Sequence, residues 1–277
     1  MVMIEFDLII DGERLNDVFP NVFLTSFEPE APSFDRKNFT NSSRHGIQTQ
    51  RKSRFTRLKE RKILVDLTID AANAEHFYLV RSEVYEYLGR PDPYEIICTF
   101  RPERKWLVVC DDAYTIGQEQ GKTGGTFTIT LTAIEGCSQS VHDSRSPQEL
   151  QSERFMGRNF ERYREQPFRF KERAFSVYNY GDVRLSPIDH EYTVNMFLAG
   201  SDIKIENKTT GEFITLVGTQ SKNNLLNVIK QYVFKGSQAV ERRGRFPELM
   251  PGKNDFVITG ATYIDIEFIT HFYYKGG

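Results

Sequence analysis

The sequence predicts a mostly-β protein of two domains joined by an aperiodic segment. Three observations carry that prediction. Short apolar–polar alternations recur along the chain between turn residues, a single run of helical period interrupts them, and two stretches, 33–56 and 136–173, follow neither period. A length of 277 residues suits two domains of ordinary size.

The opening strand alternates, with Ile4, Phe6, Leu8 and Ile10 on one face and Glu5 and Asp7 on the other, before a turn at Asp11-Gly12. A second strand runs from Val22 to Phe27 and is closed off by Pro29 and Pro32. After the polar stretch 33–56, Ile63, Val65, Leu67 and Ile69 mark a strand. Asn73 then caps a helix whose buried face is Phe77, Val80, Val84, Tyr87 and Leu88, with Gly89 and Pro91 ending it. Strands follow at Tyr94–Phe100 and Lys105–Cys110, and Thr126–Thr132 places Phe127, Ile129 and Leu131 inward. The segment 136–173 reads as a linker, with a helical turn expected near Pro147–Arg154. Beyond it come Tyr192–Leu198, ending at Ala199-Gly200-Ser201, then Ile203–Ile205 and a Thr210-Gly211 turn into Phe213–Val217. Asn223–Val228, Gln231–Phe234, Phe256–Ile258 and Tyr263–Tyr274 complete an antiparallel sandwich. The expected domains are therefore 1–136 with an arm at 31–60, a linker at 137–173, and 174–277.

Composition excludes several classes. The chain carries a net charge of −2, with 27% charged residues, and its 22 Phe and 13 Tyr suit strands and interfaces. No apolar run approaches the roughly 20 residues of a membrane span. The N-terminus lacks the basic start and apolar core of a signal peptide, so cytosolic synthesis is expected and the sequons at Asn38, Asn41 and Asn207 are expected to carry no sugar. Cys98, Cys110 and Cys137 are odd in number and widely spaced, and are expected as buried thiols.

Charge is unevenly spread. Between Ala31 and Lys62, ten Lys/Arg stand against Asp35 and Glu60, about +8, which leaves about −10 for the rest. Phe34, Phe39, Ile47 and Phe55 punctuate this basic stretch. It could bind nucleic acid, be a solvated loop, or lie as an arm on an acidic surface of another copy. The third reading uses the charge segregation and the apolar anchors together, and an arm-to-body contact is heterologous, which closes into a ring. The candidate interface residues are Arg36, Lys37, Phe39, Arg44, Arg51, Lys52, Arg54, Phe55 and Arg57, and the candidate acceptors are Glu5, Asp7, Asp66 and Asp70.

Catalytic and metal signatures are missing. The five histidines are scattered, no Cys-x-x-Cys or His-x-x-x-His occurs, and there is neither a Gly-x-Ser-x-Gly elbow nor a Walker loop. Asp189-His190-Glu191 reads as a polar strand entrance, and Gly117, Gly121, Gly124 and Gly125 as a hairpin loop. No catalytic residue, metal or cofactor is expected.

The segments Arg101-Pro102…Trp106, Asn179-Tyr180-Gly181-Asp182-Val183 with Pro187, Asn207…Thr210-Gly211 and, above all, Phe246-Pro-Glu-Leu-Met-Pro-Gly-Lys-Asn254 resemble the distal tail protein (Dit) family of siphophages of Gram-positive bacteria. The resemblance implies a split-barrel-like N-terminal domain with one helix and a belt-like arm, and a galectin-like C-terminal sandwich. It further implies a homohexameric ring at the virion tail tip, the hub of the baseplate. Its partners would be the tail tube protein, the tail-associated fibre or spike protein and the receptor-binding protein. DNA would pass through the channel without specific binding, and no membrane would be engaged. A carbohydrate-binding module recognising host cell-wall sugars is the alternative, with exposed Tyr and Phe of the C-terminal sandwich stacking on sugar rings; an enzyme ranks behind both.

Overall fold

In the computed structural model, residues 6–40, 43, 45–46, 48–49, 56–146 and 167–276 are described. Contacts divide the chain into one unit of Met1–Ser138 with Lys275–Gly277 and a second of Gln139–Tyr274.

The first unit is built on nine registered pairs between β8 (Arg61–Ile69) and β11 (Gly125–Ala133). On these strands Ile63, Val65, Leu67, Ile69, Phe127, Ile129 and Leu131 point inward, as the period-2 pattern predicts. Around them lie β1 (Leu8–Ile10), β2 (Glu13–Arg14), β3 (Val22–Pro29), β9 (Tyr94–Cys98) and β10 (Arg104–Val109). The antiparallel order is β2-β1-β9-β10-β11-β8-β3. A four-residue helix, α1 (Leu15–Val18), went unread in the sequence because one turn has no period to detect. The expected helix is α2 (Ala74–Leu88): the Asn73 side chain accepts the His76 amide at 2.8 Å, and Gly89 closes the last turn. Its Phe77, Val80, Val84 and Leu88 enter the same core as the sheet, while Tyr87 is only half-buried.

The second unit turns on two long strands, β15 (Tyr192–Asn207) and β21 (Gly252–Thr270). The sequence reading put a break at Ala199-Gly200-Ser201 and separated Phe256–Ile258 from Tyr263–Tyr274; this is corrected, since Gly200 and Gly260 both lie within strands, at shifts of register between β15 and β21. Gly200 has φ +145° and Gly260 φ +80°, and a Cβ on Gly200 would sit 2.1 Å from the Gly260 carbonyl oxygen. Such bulges bend a strand without ending its pairing. Tyr192–Leu198 therefore pairs with Ile264–Thr270 and with β17 (Leu225–Ile229), which continues into β18 (Tyr232–Lys235) and β19 (Gln238–Ala239). Past the bulges, Lys204–Asn207 pairs with Phe256–Thr259 and with β16 (Glu212–Gln220), which meets β20 (Arg242–Gly244). Two further strands, β13 (Arg169–Phe170) and β14 (Ala174–Asn179), pair with opposite halves of β21. The halves close face to face: Phe268 lies 5.3 Å from Phe256 and 6.0 Å from Phe175, ring to ring. A sandwich made by strands that bend from one layer to the other is the result.

Within the segment expected as a linker, β12 (Ser138–Ser140) and β13 are strands; the helical turn expected at 147–154 lies outside the described residues. The long final strand ends at Thr270, and β22 (Tyr273–Tyr274) follows separately. Cys98 and Cys137 are buried free thiols, and Cys110 is half-buried. No helix among the described residues is long and apolar enough to cross a membrane.

Candidate assembly interface

The basic stretch leaves the first unit between β3 and β8, and the unit holds its root firmly. The Glu30 amide donates to the Lys62 carbonyl at 2.9 Å, and the Lys59 amide to the Ser33 carbonyl at 3.1 Å. Arg61, 5% exposed, donates from Nε to the Glu30 carbonyl and from Nη1 to the Lys275 carbonyl at 2.6 Å, and stacks 5.0 Å over the Trp106 ring. Burial lowers its pKa, with the Cys137 and Glu30 charges opposing. Gly136, at φ +68°, lets the Lys59 carbonyl approach so closely that a Cβ would sit 1.9 Å from it.

Beyond the root the described residues of the stretch are paired, where the sequence suggested irregular chain. They form an antiparallel ribbon of two short ladders: β4 (Phe34–Asp35) pairs β7 (Arg57–Leu58), and β5 (Asn38–Phe39) pairs β6 (Gln48–Thr49). Two-residue ladders are too short for periodicity to reveal, and the pairing is set by register between their ends.

Among the expected interface residues, Arg36, Lys37, Phe39 and Arg57 are exposed on this ribbon, with Phe39 at 62%. Phe34 is also exposed, and the Arg36 guanidinium and Lys275 ammonium each lie 5.8 Å from its ring. Arg44, Arg51, Lys52, Arg54 and Phe55 lie outside the described residues. Two cations counted with the arm are committed elsewhere: Arg61 sits in the root, and Lys62 pairs with Asp112 at 2.6 Å.

The expected acceptor carboxylates need correction. Asp7 is fully buried; its amide donates to Thr99 Oγ1 at 2.8 Å and its Oδ1 accepts the Leu8 amide at 2.8 Å. Strand alternation had placed it outward, but the strand begins only at Leu8, so the alternation does not reach it. Asp66 is half-buried and accepts from Thr128 at 2.5 Å, Asp70 is exposed, and Glu5 lies outside the described residues. What the sequence reading missed is the outer side of α2, where Tyr78 and Leu79 are 48% and 57% exposed. Apolar residues out of step with the core stripe were the available signal.

The chemical motifs resolve as structural. His190 is the half-buried entrance to β15: its Nδ1 accepts the Ser186 amide at 3.1 Å, its ring meets Tyr273 edge-on, and partial burial lowers its pKa. Gly124 and Gly125 stand where a Cβ would collide with the Ile69 and Gly117 carbonyls, so their role is close backbone approach. The Phe246–Asn254 motif is a staple. Asn254 donates to the Met250 and Gly252 carbonyls and accepts the Met250 amide, while Asn207 donates to the Glu248 carbonyl and to Asn254. Asn179, the third fully buried asparagine here, donates to the Val183 and Leu249 carbonyls and accepts the Gly181 amide.

An antiparallel β-sheet unit with a 15-residue helix and an exposed basic ribbon, and a second unit built as a bent-strand sandwich, define a mostly-β protein of two units. Residues 10–133 match the family model described as the phage tail protein RIFT-related domain. The whole chain has the distal tail protein fold. It superposes on the crystal structure of the Dit protein (gp 19.1) of phage SPP1 with a TM-score of 0.65 at 14% identity, covering 96% of this chain and 99% of that one. That protein is described as a paradigm of the hub adsorption apparatus in phages infecting Gram-positive bacteria. Two chains of the phage p2 baseplate in its activated conformation, with Sr and with Ca, match at a TM-score of 0.36 with 9% and 8% identity. They cover 96% and 98% of this chain and 97% and 98% of their own, and carry no weight here. No curated protein matches the sequence. The resemblance read from the sequence thus stands in fold, and the family-model match over residues 10–133 agrees with it.

Proposed function

We propose that this chain is a non-enzymatic hub protein of a phage tail tip, assembling into a hexameric ring through its arms. The observation that carries the reading is the basic ribbon, anchored at Arg61 and Gly136 yet exposing Phe34, Arg36, Lys37 and Phe39 to solvent. Exposed aromatics beside cations are the composition of interface anchors. Around the ring, the tail tube protein binds one side and the fibre, spike and receptor-binding proteins the other, while DNA passes through. The C-terminal sandwich, galectin-like in this reading, adds surface for those partners.

The test is the solution mass of the purified chain. A ring is expected at low salt, dissociating as ionic strength rises towards 1 M, where the Debye length falls from about 10 Å at 0.1 M to about 3 Å. Replacing 36–56 with a short Gly-Ser turn should leave single chains. A wild-type monomer at low salt and high concentration refutes the reading.

A sugar-binding role has one observation in its favour: Tyr232 and Tyr263 of the second unit are 48% and 40% exposed, with Arg242 and Lys222 over their rings. Binding to purified host cell wall that is lost in Tyr232→Ala/Tyr263→Ala would support it.

A further inference from the structure

The outward stripe of α2 is unusual for a solvated helix. Glu75, Leu79, Ser82, Glu83 and Glu86 are all exposed and fall together at helical spacing, with Tyr78 alongside. A solvated stripe normally interleaves carboxylates with lysines four residues apart. This one carries three carboxylates and no lysine, and none of the three forms an ion pair among the described residues. Glu75 is suited to the first turn of the helix. Glu83 and Glu86 lie towards the C-terminal end, where the helix dipole disfavours negative charge, and no basic residue occupies the last turn. In the middle of these carboxylates stands Leu79, 57% exposed, and beside it Tyr78 with the Arg81 guanidinium 4.7 Å from its ring. An apolar centre rimmed by uncompensated carboxylates calls for a ligand that is apolar and cationic.

The described part of the arm has that composition. Between Phe34 and Phe39 it exposes two aromatic rings and two cations, Arg36 and Lys37, within six residues. We propose that the outward face of α2 is the seat for the arm of a second copy of this chain, Phe39 covering Leu79 and Arg36 and Lys37 facing Glu83 and Glu86. The inference rests on the ring reading above and names the surface that receives the arm. It takes the place of two of the expected carboxylates: Asp7 is buried and Asp66 is held by Thr128. Arm and seat are different patches of one molecule, so the contact is heterologous and propagates from copy to copy until it closes.

Charge exchange tests this. One variant carries Arg36→Glu/Lys37→Glu in the arm, the other Glu83→Lys/Glu86→Lys in the helix. Each alone should show the mass of a single chain, with circular dichroism and a cooperative melt confirming that it is folded. Mixed in equal amounts, each variant's arm meets an oppositely charged seat on the other, and the mass of the wild-type assembly should return with the two alternating. If the helix variant assembles alone as the wild type does, or if mixing fails to restore the assembly, the seat is wrong and the ring reading survives. If the wild type is itself monomeric, both fall.

Discussion

Asn254→Ala is the most exposed test of how the second unit is held. The side chain is fully buried and takes part in four hydrogen bonds: to the Met250 carbonyl at 2.8 Å, to the Gly252 carbonyl at 3.0 Å, from the Met250 amide at 2.8 Å and from Asn207 at 3.2 Å. Each such bond contributes about 1 kcal/mol net, and buried partners left unsatisfied cost about 1–3 kcal/mol each. Asn207 keeps its bond to the Glu248 carbonyl, which limits the damage on that side. The expected loss is therefore about 3–5 kcal/mol, a fall in melting temperature of roughly 10 °C for a unit spanning Gln139–Tyr274. Differential scanning calorimetry of the full chain reads it directly. Asn254→Asp should be worse at neutral pH, because a carboxylate would face two carbonyl oxygens, and should recover partly as acid restores a donor. A melting temperature for the alanine variant within about 2 °C of wild type would refute the claim that this network holds the Phe246–Asn254 segment.

Two further outcomes follow from the same unit. Gly200→Ala or Gly260→Ala should each destabilise it by at least about 2 kcal/mol, since both positions have positive φ and backbone oxygens within 3.0 Å of an added Cβ; chemical denaturation measures the loss. Two hydrogen bonds from Arg169, each 2.8 Å, outweigh the cost of burying Asp265 and hold its pKa below the ordinary carboxylate range. The stabilisation is therefore complete above the unfolded value of about 3.9 and is lost as pH falls through the depressed folded value, so Asp265→Asn should flatten the acid limb of a stability–pH curve.

Much of the fold was legible because strand and helix periods are local. The inward residues of β8 and β11, the Asn73 cap, the Gly89 stop and the core face of α2 all follow from side-chain direction over a few neighbouring positions. The basic arm was legible as charge and composition, although its ribbon pairing was not, since two-residue ladders leave no period. The Phe246–Asn254 motif was recognisable as a pattern before its role as a buried asparagine staple was visible.

By itself, then, the sequence determined the class of fold, the order of its main elements and the segregation of positive charge into one exposed arm. Only the tertiary structure decided that Gly200 and Gly260 bend strands without ending them, because a left-handed glycine reads alike in a turn and in a bulge until its partner strand is known. It also decided that Lys275 and Gly276 return to the first unit, held by Arg61 and Arg104, and that Asp7 is buried while Glu83 and Glu86 stand exposed beside Leu79. Whether a charge is available to a partner depends on groups far away in the chain, and no local pattern encodes their positions.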